Sequence, residues 1–162
     1  KRVMIIPRHL KGADLYGAEK AYFREILGSE PEYLEPEGPH PGYQAVDSAE
    51  VTVSAGSTLG YEAISRGNKA AIFSIRLTLG GLPAGNFGWP GDLPDEGPYW
   101  TNKPDPNSFE RILDYLFEVD DEQWREDVKA SNFSSILAYD PGNTILKSTL
   151  EKVLGASTVS EN

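Results

Sequence analysis

Between the β-branched run Val51-Thr52-Val53 and the apolar run Ala70-Ala71-Ile72-Phe73 the chain reads "SAGSTLGYEAISRGNK". Several residues in it can do chemistry. Gly56 lets a backbone or a ligand come close. Ser57 and Thr58 carry hydroxyls that can donate to phosphate oxygens, and Glu62 lies one helical turn beyond Thr58, on the same side of a helix. A turn of this kind after a parallel strand also presents free N–H groups and the positive end of the helix dipole. Open α/β sheets bind ligands at that edge. Phosphate at the turn and a ribose diol at the carboxylate would together hold a nucleotide. The plainer reading makes Ser57 or Thr58 an N-cap and leaves Glu62 an exposed helix charge, and spacing by itself favours it.

The turn needs a strand before it and a helix after it, and the surrounding pattern supplies both. "VTVSA" reads as a strand, "GSTLGYEAISRG" as a helix burying Leu59, Ala63 and Ile64, and "AAIFSI" as the next strand. Upstream, "RVMIIP" reads as a first strand over residues 2–7, buried on both faces. A helix follows over residues 18–27, with Tyr22, Phe23, Ile26 and Leu27 on one face and Gly28 as its stop. "EYLEP" is a weak strand and "YQAVDSAE" a short helix. Residues 77–98 are too rich in Gly and Pro for regular structure and read as a binding loop or lid. "NSFERILDYLF" is a strongly amphipathic helix, with Asn107 and Glu110 resembling a capping box. "DEQWREDVKAS" is a further short helix, and "DPGNTILKSTLEKVLG" begins near a proline and stops at Gly155. Strands alternating with helices imply an α/β fold. The expectation is a Rossmann-like three-layer domain over residues 1–155, with a parallel sheet of four to six strands, helices on both faces and a frayed tail over residues 156–162.

Composition narrows the function. At 162 residues one hydrophobic core is the default, and 39% hydrophobic with 25% charged residues is globular. No apolar run is long enough to cross a bilayer. A formal charge of -10 without a basic stripe argues against nucleic acid as a partner. A small phosphorylated ligand is not excluded, because backbone N–H groups at a helix start bind anions without net charge. There are no cysteines, hence no disulfides, thiolate metal sites or cysteine nucleophiles. With two histidines and no acidic pair at metal-ligand spacing, neither a metal nor another cofactor is implied. "KRVMIIPRH" lacks a signal-peptide core. A Lys-Arg start feeding a strand reads as a domain boundary, so a fragment of a two-domain enzyme is expected.

The whole stretch "AVDSAEVTVSAGSTLGYEAISRGNKAAIF" resembles the nucleotide-binding half of GT-B glycosyltransferases, in which a helix, a strand, a Gly/Ser/Thr turn, a helix "xEAxxxG" and a strand follow one another. Farther on, "GGLPAGNFGWPGDLPDEGPYWTNKPDPNSFERIL" and "YDPGNTILKSTLEKVLG" are similar to a bacterial family of surface-carbohydrate biosynthesis transferases within that fold. The resemblance implies that Gly56, Ser57 and Thr58 contact donor phosphate and that Glu62 contacts ribose. Related capsule and teichoic-acid transferases carry a basic "RPHP"-like motif after the first strand. Here "IIPRHLK" departs from it, which ranks Arg8 and His9 behind the turn as possible catalytic residues. His40, in "EPEGPHPG", reads as a solvated loop histidine, so His9 is the better candidate.

In that architecture the loop of residues 77–98 lies beside the donor, making Asn86, Phe87 and Trp89 candidate contacts to sugar or base. The resemblance implies a nucleotide-sugar donor, with cytidine monophosphate sugars such as Kdo or a sialic-acid relative ahead of uridine diphosphate sugars. It also implies a saccharide acceptor held by an N-terminal half, which would supply the general base, so that this chain alone would be inactive. The cytoplasm is the expected compartment, at most peripheral to the inner membrane. Two alternatives stand beside this: an enzyme like the UDP-sugar 2-epimerases, which use the same fold, and a non-catalytic module that binds a nucleotide or a partner.

Overall fold

The computed structural model describes residues 2–9, 11–34, 40–75, 79–80, 86–88 and 93–157. Among them the chain forms a mixed α/β structure with two separate parallel sheets, β1-β2 and β3-β4-β5. The expected single sheet of four to six strands is thereby corrected. The strands are very short: β1 is Met4–Ile5, β2 Glu32–Tyr33, β3 Thr52–Ser54, β4 Ala70–Phe73 and β5 Trp100–Thr101. Proline has no N–H to give to a ladder. Pro7 follows β1, Pro31 precedes β2, and Pro98 and Pro104 flank β5, so the sequence itself cuts the pairing short.

The first sheet carries helix α1 (Tyr16–Leu27), which ends at Gly28 in the left-handed conformation (φ 66°), as its position predicts. Its predicted apolar face is present but uncovered, with Tyr22, Ile26 and Leu27 exposed. The expected burial of the first strand on both faces is also corrected, because Val3, Met4 and Ile6 are exposed. Among the described residues, none before Val46 belongs to the main core cluster.

That core is built on the second sheet. In β4 all four positions, Ala70, Ala71, Ile72 and Phe73, are buried, as a central strand covered on both faces requires. Successive side chains on a strand point to opposite faces. A Cβ on Gly60, in helix α3 (Thr58–Ser65), would lie 2.6 Å from Ile72 Cδ1, so α3 covers the Ile72 face. The Phe73 ring lies 4.5 Å from that of Phe109 in α4 (Pro106–Glu118), which therefore covers the other. Helix, sheet and helix are thus the three layers around β4. Helix α2 (Pro41–Ser48) packs beside α3, and Pro41 occupies the first turn, where its missing N–H costs nothing.

The predicted capping box at Asn107 gives way to a cap at Asp105. Its carboxylate accepts from the N–H groups of Asn107 (3.2 Å) and Ser108 (3.3 Å). The sequence pattern was displaced by two residues because Pro106 takes the first helical position. Asp120 caps α5 (Asp121–Ala130) in the same way. Trp124 on α5 is buried, and its indole donates to Gly67 O at 3.0 Å. After a 3-10 turn at Phe133–Ser135, Asp140 accepts from Thr144 N and Ile145 N, each at 2.9 Å, and starts α6 (Thr144–Ser157). That helix runs through Gly155, correcting the expected stop there, and residues 158–162 of the predicted tail lie outside the described residues. Ile145, Leu146, Leu150, Val153 and Leu154 are exposed along it. Among the described residues no helix is long and apolar enough to cross a membrane.

An aromatic group closes the core between sheet and α5. Tyr99 is fully buried, its ring 5.0 Å from Trp124 and 4.8 Å from Trp100, with its hydroxyl hydrogen-bonded to that of Ser131. Burial pushes the Tyr99 hydroxyl up to about 12, the Ser131 bond opposing it. An unfolded tyrosine ionises near pH ~10, so between the two values the unfolded chain gives up a proton that the folded chain keeps, and stability falls as pH rises. The contribution is fully present below pH ~10 and is lost as pH passes about 12, on the order of 2–3 kcal/mol from this residue. Urea midpoints measured from pH 9 to 11.5 are expected to drop steeply above 10. Tyr99→Phe is expected to make that drop shallower.

Candidate functional site

The turn between β3 and α3 is locked from below. Ser54, almost fully buried at the end of β3, donates through Oγ to Ser57 O (3.1 Å) and accepts from Ser57 N (3.2 Å). Between them Gly56 adopts φ 98°, a left-handed conformation that a side chain would strain, and the space where its Cβ would stand is open. Ser57 is the N-cap of α3: its Oγ accepts from Leu59 N at 3.3 Å. Gly60 N donates to Ser57 O at 3.2 Å. The plainer reading of Ser57 therefore holds, and its hydroxyl proton is still free to point elsewhere. Thr58, first in the helix, is exposed, and among the described residues no hydrogen bond engages its N–H. What faces outward at this turn is a hydroxyl pair, an N–H and a helix start.

Gly60 explains how α3 comes so close to the sheet. A Cβ there would stand 2.6 Å from both Ile72 Cδ1 and Ser54 Cβ. The "GSTLG" spacing thus serves two purposes, turn at its first glycine and close helix–strand packing at its second, a division known from dinucleotide-binding turns.

Helices α2 and α3 run in the same direction. Near their starts, a Cβ on Gly42 would meet Leu59 Cδ1 at 3.4 Å, and near their ends Arg66 Nε donates to Asp47 Oδ1 at 2.9 Å. Two helix N-termini therefore lie side by side at the C-terminal edge of β3. Glu62 is half-buried in α3. Hydrogen bonding to the Glu62 carboxylate, and then its charge, raise the Tyr43 hydroxyl above its ordinary range. The Arg66 guanidinium lies 5.0 Å from the centroid of the Tyr43 ring and 5.3 Å from that of Tyr139. Asn68 Nδ2 completes the clamp by donating to Asp47 Oδ1 at 2.8 Å. Hydrogen bonds from Arg66 and Asn68 hold the Asp47 carboxyl below its usual range, with the Arg66 bond foremost.

The remaining candidates fall in different places. Gly56, Ser57, Thr58 and Glu62 share one helix start. Arg8 and His9 follow β1 of the other sheet, and their backbone N–H groups donate to the two carboxylate oxygens of Glu19, at 2.9 and 3.2 Å. None of the bonds described for them reaches the turn at Gly56. His40, ranked below His9 from sequence, stands at the N-cap position of α2, exposed and with its ring 5.6 Å from Tyr43, on the same edge as Ser57. Phe87 is only 1% exposed and is held by the core, with Tyr61 at 4.9 Å and Trp100 at 5.3 Å between ring centroids. Asn86 immediately precedes it, and Trp89 lies outside the described residues.

Sequence reasoning missed Ser54, Tyr43 and Arg66. Ser54 was legible as the last residue of "VTVS", where an inward-pointing serine before a turn has the loop backbone as its natural partner. Tyr43 carries no local signal, because only the packing of α2 against α3 brings the two helices together, whereas Arg66 stands four residues after Glu62 at the end of the same helix.

Among the described residues no three or more of His, Asp and Glu converge as a metal site would require. A groove of about 560 Å³ lies at the far end of α3, beside Glu50, Arg66, Lys69 and Asp121. It is at the opposite edge from the turn. Two of the cations that line it are engaged, Arg66 with Asp47 and Lys69 with Asp121, and Arg125 lines it as well.

Fold and turn together define a mixed α/β protein with an exposed strand–turn–helix edge. A family model described as "putative O-antigen biosynthesis protein" matches residues 4–154, and the chain belongs to that family. This ties it to the biosynthesis of surface carbohydrate. Searches of curated proteins and of solved structures found no match.

Proposed function

We propose that this chain is the donor-binding half of a glycosyltransferase that builds a surface polysaccharide, holding a nucleotide-activated sugar at residues 56–62. The observation that carries the reading is the pair of parallel helix starts at the C-terminal edge of β3, with the left-handed Gly56 and the exposed Thr58 between strand and helix. Membership of the O-antigen biosynthesis family supports the pathway class.

In this reading the Thr58 N–H, the two hydroxyls and the α3 dipole meet the phosphate, and they stabilise the charge that grows on it as the sugar departs. Glu62 accepts from the ribose hydroxyls. Cytidine monophosphate sugars, Kdo or a related acid sugar among them, are the first donors to try, and uridine diphosphate sugars the second. The acceptor and the base that deprotonates it belong to another half of the enzyme.

Calorimetric titration of cytidine and uridine nucleotides tests this. A cytidine nucleotide is expected to bind, and Ser57→Ala and Glu62→Ala are each expected to weaken it about tenfold, the value of one charge-assisted hydrogen bond. Because Ser57→Ala also removes a helix cap worth about 1 kcal/mol, its melting temperature is measured alongside. If no nucleotide binds, the non-catalytic module replaces the transferase. If binding survives both substitutions unchanged, the site lies elsewhere.

A further inference from the structure

A smaller cleft, of about 290 Å³, opens where the end of α3 meets α5 and the segment beyond the 3-10 turn. Its walls are mainly apolar, with Ile64 from α3, Val128 from α5, and Leu137 and Tyr139 from the segment beyond the turn. Among the described residues that line it two are charged, Arg125 and Lys129, and both are cations. In a chain with 25 acidic against 15 basic residues, that local excess of positive charge needs a reason. Arg125 and Lys129 stand one helical turn apart on α5, so their side chains are neighbours and their charges repel. The same helix holds acids that could relieve this. Glu122 and Glu126 each precede one of the pair by three residues, yet among the described residues neither cation has an ion pair. Asp121 is engaged with Lys69, and Asp127 accepts from Gln123 at 3.0 Å and from the Tyr115 hydroxyl.

Two exposed cations side by side on an apolar cleft match a ligand that carries two negative charges on an apolar body. A phosphate monoester on a hydrocarbon has both. It bears close to two charges at neutral pH, and its three free oxygens can meet a guanidinium fork and an ammonium at once. We infer that this cleft is a binding site for an alkyl phosphate, with the phosphate between Arg125 and Lys129 and the hydrocarbon against Ile64, Val128 and Leu137. Its volume, at the lower end for small-molecule clefts, suits a short chain. The cleft lies at the last turn of α3, whereas Thr58 begins the first, so the inference goes beyond the donor-site reading and stands independently of it.

Calorimetry with inorganic phosphate, ethyl phosphate and butyl phosphate on the parent chain tests this, with amide chemical shifts to locate the binding. Butyl phosphate is expected to bind about tenfold tighter than ethyl phosphate, the effect of taking two further methylenes out of water, and inorganic phosphate more weakly than either. Shifts are expected at Val128, Leu137 and Tyr139 and not at residues 56–58. Arg125 also lines the larger groove, so Lys129 is the discriminating position. Lys129→Gln is expected to weaken butyl phosphate about fivefold, the upper value for an exposed charge pair. Its melting temperature is expected to stay near the parent's, since the side chain is exposed and has no ion pair to lose. Inorganic phosphate that binds as tightly as butyl phosphate, shifts confined to residues 56–58, or undiminished affinity in Lys129→Gln overturns the inference, as does a parent that binds none of the three. The nucleotide titrations are read separately, so either site can fail without the other.

Discussion

Phe87→Ala is expected to lose about 3–5 kcal/mol of stability, the usual cost of emptying a buried aromatic position. Among the described residues four rings surround Phe87: Tyr61 at 4.9 Å, Trp100 at 5.3 Å, Phe133 at 6.0 Å and Tyr99 at 6.1 Å between centroids. Its backbone is equally committed, since Phe87 N donates to Asn102 Oδ1 at 2.8 Å and Gly88 N to the Tyr61 hydroxyl at 3.2 Å. These neighbours come from α3, β5 and the 3-10 turn, so a cavity here has no single flexible element to collapse into it. Urea unfolding of Phe87→Ala and Phe87→Leu measures the effect, with the leucine variant expected to recover more than half of the loss. A Phe87→Ala chain with the parent's midpoint and weakened nucleotide binding would return the ring to the role of ligand contact.

Gly97→Ala is expected to cost about 3 kcal/mol or more, at the upper end for overpacking. A Cβ at this position would stand 2.1 Å from two ring atoms of Trp100, far inside contact distance. Neither partner has room to yield. Trp100 is buried, and its indole donates to Pro94 O at 2.9 Å. Gly97 N donates to Trp100 O at 3.0 Å, and Arg111 Nη1 reaches Gly97 O at 3.2 Å. The turn that precedes β5 is therefore shaped around an indole face. Thermal melting of Gly97→Ala beside the parent shows the loss, and an unchanged midpoint would mean that Trp100 is not held as described.

Much of the second sheet and its helices could be read from sequence because the signals there are local. "VTVS", "AAIF" and the apolar spacing of Phe109, Ile112, Leu113 and Leu116 match the period of the element they form. β5 was hidden because Trp100 and Thr101 pair over only two residues among prolines, too few for alternation to register. The N-terminal elements show the reverse error. "VMII" has the composition of a strand covered on both faces, yet composition does not say whether a covering layer exists. At the site, Gly56, Ser57 and Glu62 were visible as a motif. Tyr43 and His40 were not, because their arrival depends on the packing of two helices that are adjacent in space and separated in sequence by a strand.

The uncovered first sheet has a thermodynamic counterpart. A two-stranded parallel pair with one helix has little apolar burial of its own, and none of its residues reaches the cluster centred on Ile72 and Phe87. Amide exchange is therefore expected to fall into more than one process along this chain. The described residues up to position 34 are expected to open by sub-global fluctuation at a small fraction of the free energy that exposes β4, with α3 and its turn staying closed. The edge that presents Thr58 and Glu62 is expected to belong to the slowest-exchanging unit, its order independent of the first sheet.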